Sequence, residues 1–321
     1  MKTLFICFLS FFLAFAINAA EEQAPAPLLV WDGINHTDGL PINFRSTNSS
    51  LPTISLENPS PEGLKALHIS GSSQFSKQEL LKIIETVGTA NGKLYIIDLR
   101  NESHGFLNDL PVSWYGVKNW ANASLSSKAI ERQEELLLAN LAKEKEVQVY
   151  TILKKNDNGQ IENTSAEKVV VSKVYSEREL ANQLALPYLR FYVKDETFPS
   201  HEEIDAFIQF VKDLPEKHWL HFHCRAGKGR TTTMMAVYDI LQNAKKVSLE
   251  DIITRQYLLG GVNLAEVDRG QNYKTENFKA RLAFIKNFYE YAKTNDDDYD
   301  TLWSDYLKGE LVSLREIRAK N

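Results

Sequence analysis

The run His221-Phe222-His223-Cys224-Arg225-Ala226-Gly227-Lys228-Gly229-Arg230-Thr231-Thr232 constrains this chain more than any other stretch. Ahead of it, Trp219 to His223 is short and rich in aromatics, and reads as a buried strand. Behind it, Thr231 to Gln242 carries Met234, Val237, Ile240 and Leu241 at helical spacing. Strand, glycine loop and helix, in that order, make a cradle for an oxyanion. The loop N–H groups turn inward, and the helix N-terminus adds a positive dipole end. Gly227 and Gly229 permit the backbone angles that such a nest requires. Arg230 can clamp a phosphate with two parallel N–H donors.

That field suits a nucleophile. A free thiol, with a pKa of about 8.5, is mostly protonated at neutral pH. Loop amides, a helix N-terminus and a guanidinium all favour the thiolate, so Cys224 is placed to attack phosphorus. Thr231 can offer its hydroxyl to the sulfur and help it leave, and His223 is the neighbour that tunes it. Arg225, Ala226, Gly227, Lys228 and Gly229 supply the remaining phosphate contacts. A nucleotide-binding Gly-x4-Gly-Lys-Ser/Thr loop is excluded, because Gly229 follows Lys228.

Sulfur attack also needs a proton donor for the leaving alkoxide, on a separate loop that can close over the substrate. Asp195, in Val193-Lys194-Asp195-Glu196-Thr197-Phe198-Pro199, follows a strand and precedes a capped helix. It is the expected acid, with Glu196 the alternative. His221 and His223 share a strand face, but no neighbouring Cys or carboxylate completes a zinc set. His221 therefore reads as a hydrogen-bonded core histidine, and neither a metal nor a cofactor is expected.

Residues 1–20 read as a secretory signal peptide: Lys2, an apolar run from Leu4 to Ala16, then Asn18-Ala19-Ala20. The run is shorter than the roughly 20 residues that a membrane span needs, so no stable membrane anchoring is expected. Cleavage between Ala16 and Ala20 would remove Cys7 and leave Cys224 as the one cysteine, so function is the simplest reason to keep it. The product would be periplasmic or secreted. A net charge of −5 argues against nucleic acid and requires a local basic patch for any polyanion.

Residues 21–40 read as linker and 41–315 as one domain of α/β class, since strands alternate with helices. Ser76-x-x-Glu79 and Ser176-x-x-Glu179 are capping boxes, and Ser200-x-x-Glu203 and Ser248-x-x-Asp251 also open helices. Ser127 to Lys145 is amphipathic, and Phe278 to Ala292 is a last long helix. The stretch from Glu102 to Asn122 reads as a long packed loop. Val147 to Leu153 and Lys168 to Val174 read as a hairpin, part of a small β satellite including about 146–175. Asp98 and Cys224 each end a strand, so both can reach one crevice at the carboxyl ends of the sheet.

The Cys-x5-Arg-Thr string resembles the signature of the protein tyrosine phosphatase superfamily. Asp98-Leu99-Arg100-Asn101-Glu102-Ser103-His104-Gly105, Pro111-Val112-Ser113-Trp114-Tyr115-Gly116 and Asn43-Phe44-Arg45 narrow the likeness. With Trp219-Leu220-His221-Phe222-His223-Cys224 and Tyr273-Lys274-Thr275, the chain resembles the bacterial cysteine phytases over most of residues 40 to 310. These are tyrosine-phosphatase-like myo-inositol polyphosphate phosphatases. The resemblance implies a phosphatase core with a small partial β-barrel and an inositol polyphosphate substrate. It also makes Arg45, Asp98 and Lys274 substrate contacts. Two departures stand out: Glu196 replaces a frequent His, and Arg225 and Lys228 make the loop more cationic than in well-known members. Phosphoinositide 3-phosphatases carry basic residues at both places, so a phosphoinositide substrate stays open. The rival from another class is a catalytically silent phosphate-binding module.

Overall fold

The computed structural model describes residues 26–33, 38–52, 58–88, 92–268, 270 and 272–309. The expected signal peptide lies outside the described residues. Strand β11 (His218–His223) runs between β3 (Ile69–Ser72) and β4 (Lys93–Asp98), parallel to both. With β10 (Tyr188–Arg190) and β2 (Arg45–Ser46) it forms a five-stranded sheet in the order β10-β4-β11-β3-β2. Successive side chains of a strand point to opposite faces. Leu220, Phe222 and Cys224 therefore join the larger core, while Trp219 joins a second cluster with Phe75, Leu80, Ile96 and Phe106.

Helix α5 (Gly229–Asn243) leaves the loop and is buried on all sides, with Gln242 its one exposed residue and Gly229 half-buried. Helix α6 (Leu249–Leu258) and helix α7 (Tyr273–Thr294) pack against it. Helix α4 (His201–Lys212) adds Ile204, Phe207 and Ile208 to the same core. A helix enclosed this way cannot shift its N-terminus without repacking well-filled neighbours. The remaining α-helices among the described residues are α1 (Lys77–Val87), α2 (Ser127–Leu141) and α3 (Glu177–Gln183), with full capping boxes on α1 and α3.

A second sheet of six strands has the order β8-β7-β1-β6-β5-β9. The expected hairpin is β7 (Glu146–Lys155) with β8 (Ile161–Val170). The satellite is larger than the sequence suggests. Strand β1 (Leu28–Trp31) lies within the stretch expected to be linker, and pairs with both β6 and β7. The stretch expected to be a packed loop holds β5 (His104–Leu107) and β6 (Leu110–Tyr115). They turn tightly through Asn108 and Asp109, both at positive φ, which matches a two-residue hairpin. Pro111 and the polar residues around this turn hid the alternation. Strand β9 (Val174–Tyr175) closes the order on the β5 side. Among the described residues the pairing is a linear order with β8 and β9 at its ends.

Candidate active site

Register sets the site. His223 pairs with Asp98 and Ser72, so three strand ends meet where the loop begins. The loop is then held from behind by its own carbonyls. Gln74 N–H donates to Arg225 O (3.2 Å), Asn43 Nδ2 to Ala226 O (2.9 Å) and Arg45 Nη1 to Gly227 O (2.7 Å). With those carbonyls engaged, the amides of 226–230 remain the loop's unmatched donors among the described residues. Gly227 sits at φ +70°, and a Cβ there would collide with the Ser73 amide nitrogen, so glycine is required.

Cys224 is buried, and the Thr231 hydroxyl donates to its Sγ at 3.2 Å. Arg230 is 2% exposed. Its Nη1 donates to Glu102 Oε2 at 2.6 Å and its Nη2 to Glu102 Oε1 at 3.0 Å. Nη1 also reaches the carbonyls of Val193 (3.2 Å) and Leu99 (3.4 Å). Asp195 Oδ1 lies 3.2 Å from Arg230 Nη2. The loop carrying the expected acid is docked: Asn119 Nδ2 donates to Asp195 Oδ2 (3.0 Å) and Trp120 Nε1 to Asp195 O (2.9 Å). Asn119 and Lys118 both adopt positive φ to present that contact.

Cys224 and Asp195 line one cleft of about 290 Å³, together with Lys155, Glu196, Arg225, Lys228, Lys274 and Arg281. Five of its side chains are cationic and two are carboxylates. Lys155 comes from β7 of the second sheet, where its Nζ donates to Tyr115 Oη at 3.2 Å. Burial, with Arg225 nearby, lowers its pKa. Arg281 is 2% exposed and lies against Gly229 at the start of α5. The sequence singles out neither residue; the only signal for Arg281 is a cation seven positions after Lys274 on one helix face.

Lys274 does reach the cleft, but its Nζ is bound to Glu196 Oε1 at 2.6 Å. Two expected substrate contacts are corrected. Arg45 is 3% exposed and lies behind the loop, bonded to Gly227 O and to Thr232 Oγ1 (3.1 Å). Burial brings its pKa down to about 10, opposed by the Cys224 charge. Asp98 is fully buried, accepting from Tyr188 Oη at 2.7 Å and from the Arg100 amide at 2.9 Å. Burial alone would raise it, but His104 and Arg190 hold it well below the usual carboxylate range. Both residues therefore build the site rather than line it.

His221 has both ring nitrogens against serine hydroxyls, Ser70 at 2.9 Å and Ser72 at 3.0 Å. Burial, and then His223, push its pKa well down, so it is neutral. His223 finds a carboxylate that adjacent sequence does not show: its Nε2 lies 2.7 Å from Glu177 Oε1. The sequence also gives no role to Glu102 or Asp32. Glu102 accepts from Arg100 Nε (2.9 Å) as well as Arg230, and Arg100 Nη1 reaches Asp32 Oδ2 (2.6 Å). Asp32 Oδ1 then takes Arg225 Nε at 2.6 Å. A buried line of alternating charge thus joins the two loop arginines.

The profile of the family described as PTP-like phytase, inositol hexakisphosphate, matches residues 97–242. Over 268 residues the chain is 31% identical to the effector protein hopD2 of Pseudomonas syringae pv. tomato, covering 82% of this chain and 56% of that one. The PTP-like myo-inositol phosphatase of Mitsuokella multacida was solved in complex with myo-inositol-(1,3,4,5)-tetrakisphosphate. It superposes with a TM-score of 0.82 at 35% identity, over 90% of this chain and 48% of that chain. A PTP-like phytase from Bdellovibrio bacteriovorus gives a TM-score of 0.69 at 33% identity, over 88% of this chain and 97% of that chain. The chain spans about half the length of the first two proteins and nearly all of the third.

Proposed function

Because this chain belongs to the tyrosine-phosphatase-like phytase family, we propose that it hydrolyses phosphomonoesters of inositol polyphosphates through a phosphocysteine. One observation carries the substrate class. A single phosphate needs only the loop and Arg230, yet Lys155, Arg225, Lys228, Lys274 and Arg281 crowd the same small cleft. Such a density of cations suits a ligand with several phosphates.

In the proposed reaction the Cys224 thiolate attacks phosphorus and the P–O bond to the inositol breaks. The loop amides and Arg230 hold the equatorial oxygens as charge develops. Asp195 gives its proton to the leaving oxygen, then, as carboxylate, takes one from the water that cleaves phosphocysteine. The Thr231 hydroxyl, already on the sulfur, stabilises the departing thiolate. The products are inorganic phosphate and an inositol with one phosphate fewer.

A second reading has its own observation. Beside the cleft lies a groove of about 490 Å³ that shares Arg225, Ala226 and Lys228 with it. Ile42 (53% exposed), Leu153 (59% exposed) and Trp31 give this groove an apolar wall. A phosphoinositide combines the matching charges and apolar part. Export through the apolar leader of residues 1–20 belongs to the same proposal, and N-terminal sequencing of the mature protein tests it.

The deciding experiment is phosphate release from phytate, a phosphoinositide and a phosphotyrosine peptide, side by side, for the wild type and Cys224→Ser. Phytate turnover lost in Cys224→Ser, with phytate binding retained, is the expected result. Phytate left intact by the wild type, or more than a few per cent of activity in Cys224→Ser, overturns the reading.

A further inference from the structure

Arg225 does not hang free in the cleft. Its Nε donates to Asp32 Oδ1 at 2.6 Å and its Nη2 to Trp31 O at 3.2 Å. Its guanidinium carbon lies 5.2 Å from the Tyr115 ring centre. One edge of the fork is thereby committed to β1 and β6, strands of the second sheet. The side chain is 21% exposed and lines both the cleft around Cys224 and the groove beside it.

Asp32 is itself immobilised. Its amide donates to Pro111 O at 3.0 Å, its Oδ1 accepts from Ser113 Oγ at 2.7 Å, and its Oδ2 accepts from Arg100 Nη1 at 2.6 Å. The carboxylate is fully buried. Burial would raise its pKa, but Arg100 and Arg225 lower it, so it stays ionised. A long arginine side chain otherwise loses rotamer freedom when it meets a ligand. An arginine already fixed by a buried carboxylate loses little, and its remaining donors face a ligand in a preset geometry.

We propose that Asp32 is a positioning residue for substrate selection: it fixes Arg225 so that the guanidinium meets a second phosphate of the substrate, away from the reacting one. The second sheet then contributes to the phosphatase site through this contact. The inference rests on the polyphosphate reading above.

A double-mutant cycle on KM for phytate tests it, with Asp32→Asn, Arg225→Ala and the pair, each also assayed on p-nitrophenyl phosphate and followed by thermal melting. Asp32→Asn should raise KM for phytate about threefold to tenfold, the range expected when one side chain must be ordered on binding. In the Arg225→Ala background it should add nothing. Because Asp32→Asn also removes a partner of buried Arg100, Arg225→Lys is the companion variant. Lysine keeps the charge and loses the fork, so it should behave like Arg225→Ala if fixed geometry is what matters. Equal effects of Asp32→Asn in both backgrounds, a lowered KM in Asp32→Asn, or wild-type KM in Arg225→Lys would each sink the inference. A wild type that cleaves p-nitrophenyl phosphate but not phytate would sink the polyphosphate reading and this inference with it. Phytate turnover with an additive cycle sinks this inference alone.

Discussion

Glu102 grips Arg230 with both oxygens, Oε2 2.6 Å from Nη1 and Oε1 3.0 Å from Nη2, although the two residues are 128 positions apart. The pair is fully buried, and Glu102 also holds Arg100. Burial would raise the Glu102 pKa, but Arg230 and Arg100 hold it far below the usual carboxylate range. Held through both Nη groups, the planar fork keeps a fixed orientation, and its Nε is the donor left without a hydrogen-bond partner among the described residues.

Glu102→Gln should therefore injure both fold and chemistry. Breaking a buried pair leaves an uncompensated charge and costs about 3–5 kcal/mol. Urea denaturation should show that loss, and kcat for p-nitrophenyl phosphate should fall in the surviving folded fraction. Wild-type stability in the variant would show that Arg230 is held by the Val193 and Leu99 carbonyls instead.

Asp195 is docked by Asn119 and Trp120 within reach of Arg230. Asp195→Asn should lose roughly 10²–10⁴ in rate on phytate, whose alkoxide leaves poorly. An aryl phosphate needs little protonation and should lose much less. Equal losses on both substrates would point to Glu196 or to water as the proton source.

Cation availability should set KM. Lys228 lines the cleft and the groove, and makes no ion pair among the described residues, whereas Lys274 is tied to Glu196 at 2.6 Å. Lys228→Ala should raise KM for phytate about twofold to fivefold at low salt, with the gap closing as salt rises. Glu196→Gln should lower KM by freeing Lys274. A KM that ignores salt in both variants would show that neither cation meets the substrate.

His104 predicts an alkaline limit on stability. Burial and Arg100 would lower its pKa, but Asp98 and Glu134 outweigh them and push it up to about 10 from 6.5. A raised folded pKa stabilises fully below the unfolded value and is lost as pH rises through the folded one. The urea midpoint should thus fall between pH 6.5 and 10, and His104→Gln should flatten that limb. An equal slope in wild type and variant would assign the loss to other groups.

Much of the fold was legible because its signals are local. Serine caps, the 3.6-residue period of α4 and the glycines of the loop act within a few residues of one another, and the structure places helices and loop where these signals fall. Strands β5 and β6 were not legible, because the tight Asn108-Asp109 turn and Pro111 sit among buried polar residues that mask alternation. Strand β1 was hidden in a proline-rich stretch, although it lies inside the second sheet.

The sequence by itself determined the proposed reacting centre: Cys224, the glycine loop, Arg230 and Thr231 are neighbours along the chain, so their geometry follows from local backbone preferences. Tertiary structure alone decided which distant charges face that centre. Strand pairing set the segments that bring Glu102 and Asp32 beneath the two loop arginines, carried Lys155 to the cleft and sent Arg45 and Asp98 into the interior, while the packing of α7 placed Arg281 in the cleft. The reason is physical. A strand turns alternate side chains to opposite faces, so one step of register decides whether a charge lines the cleft or is buried behind it.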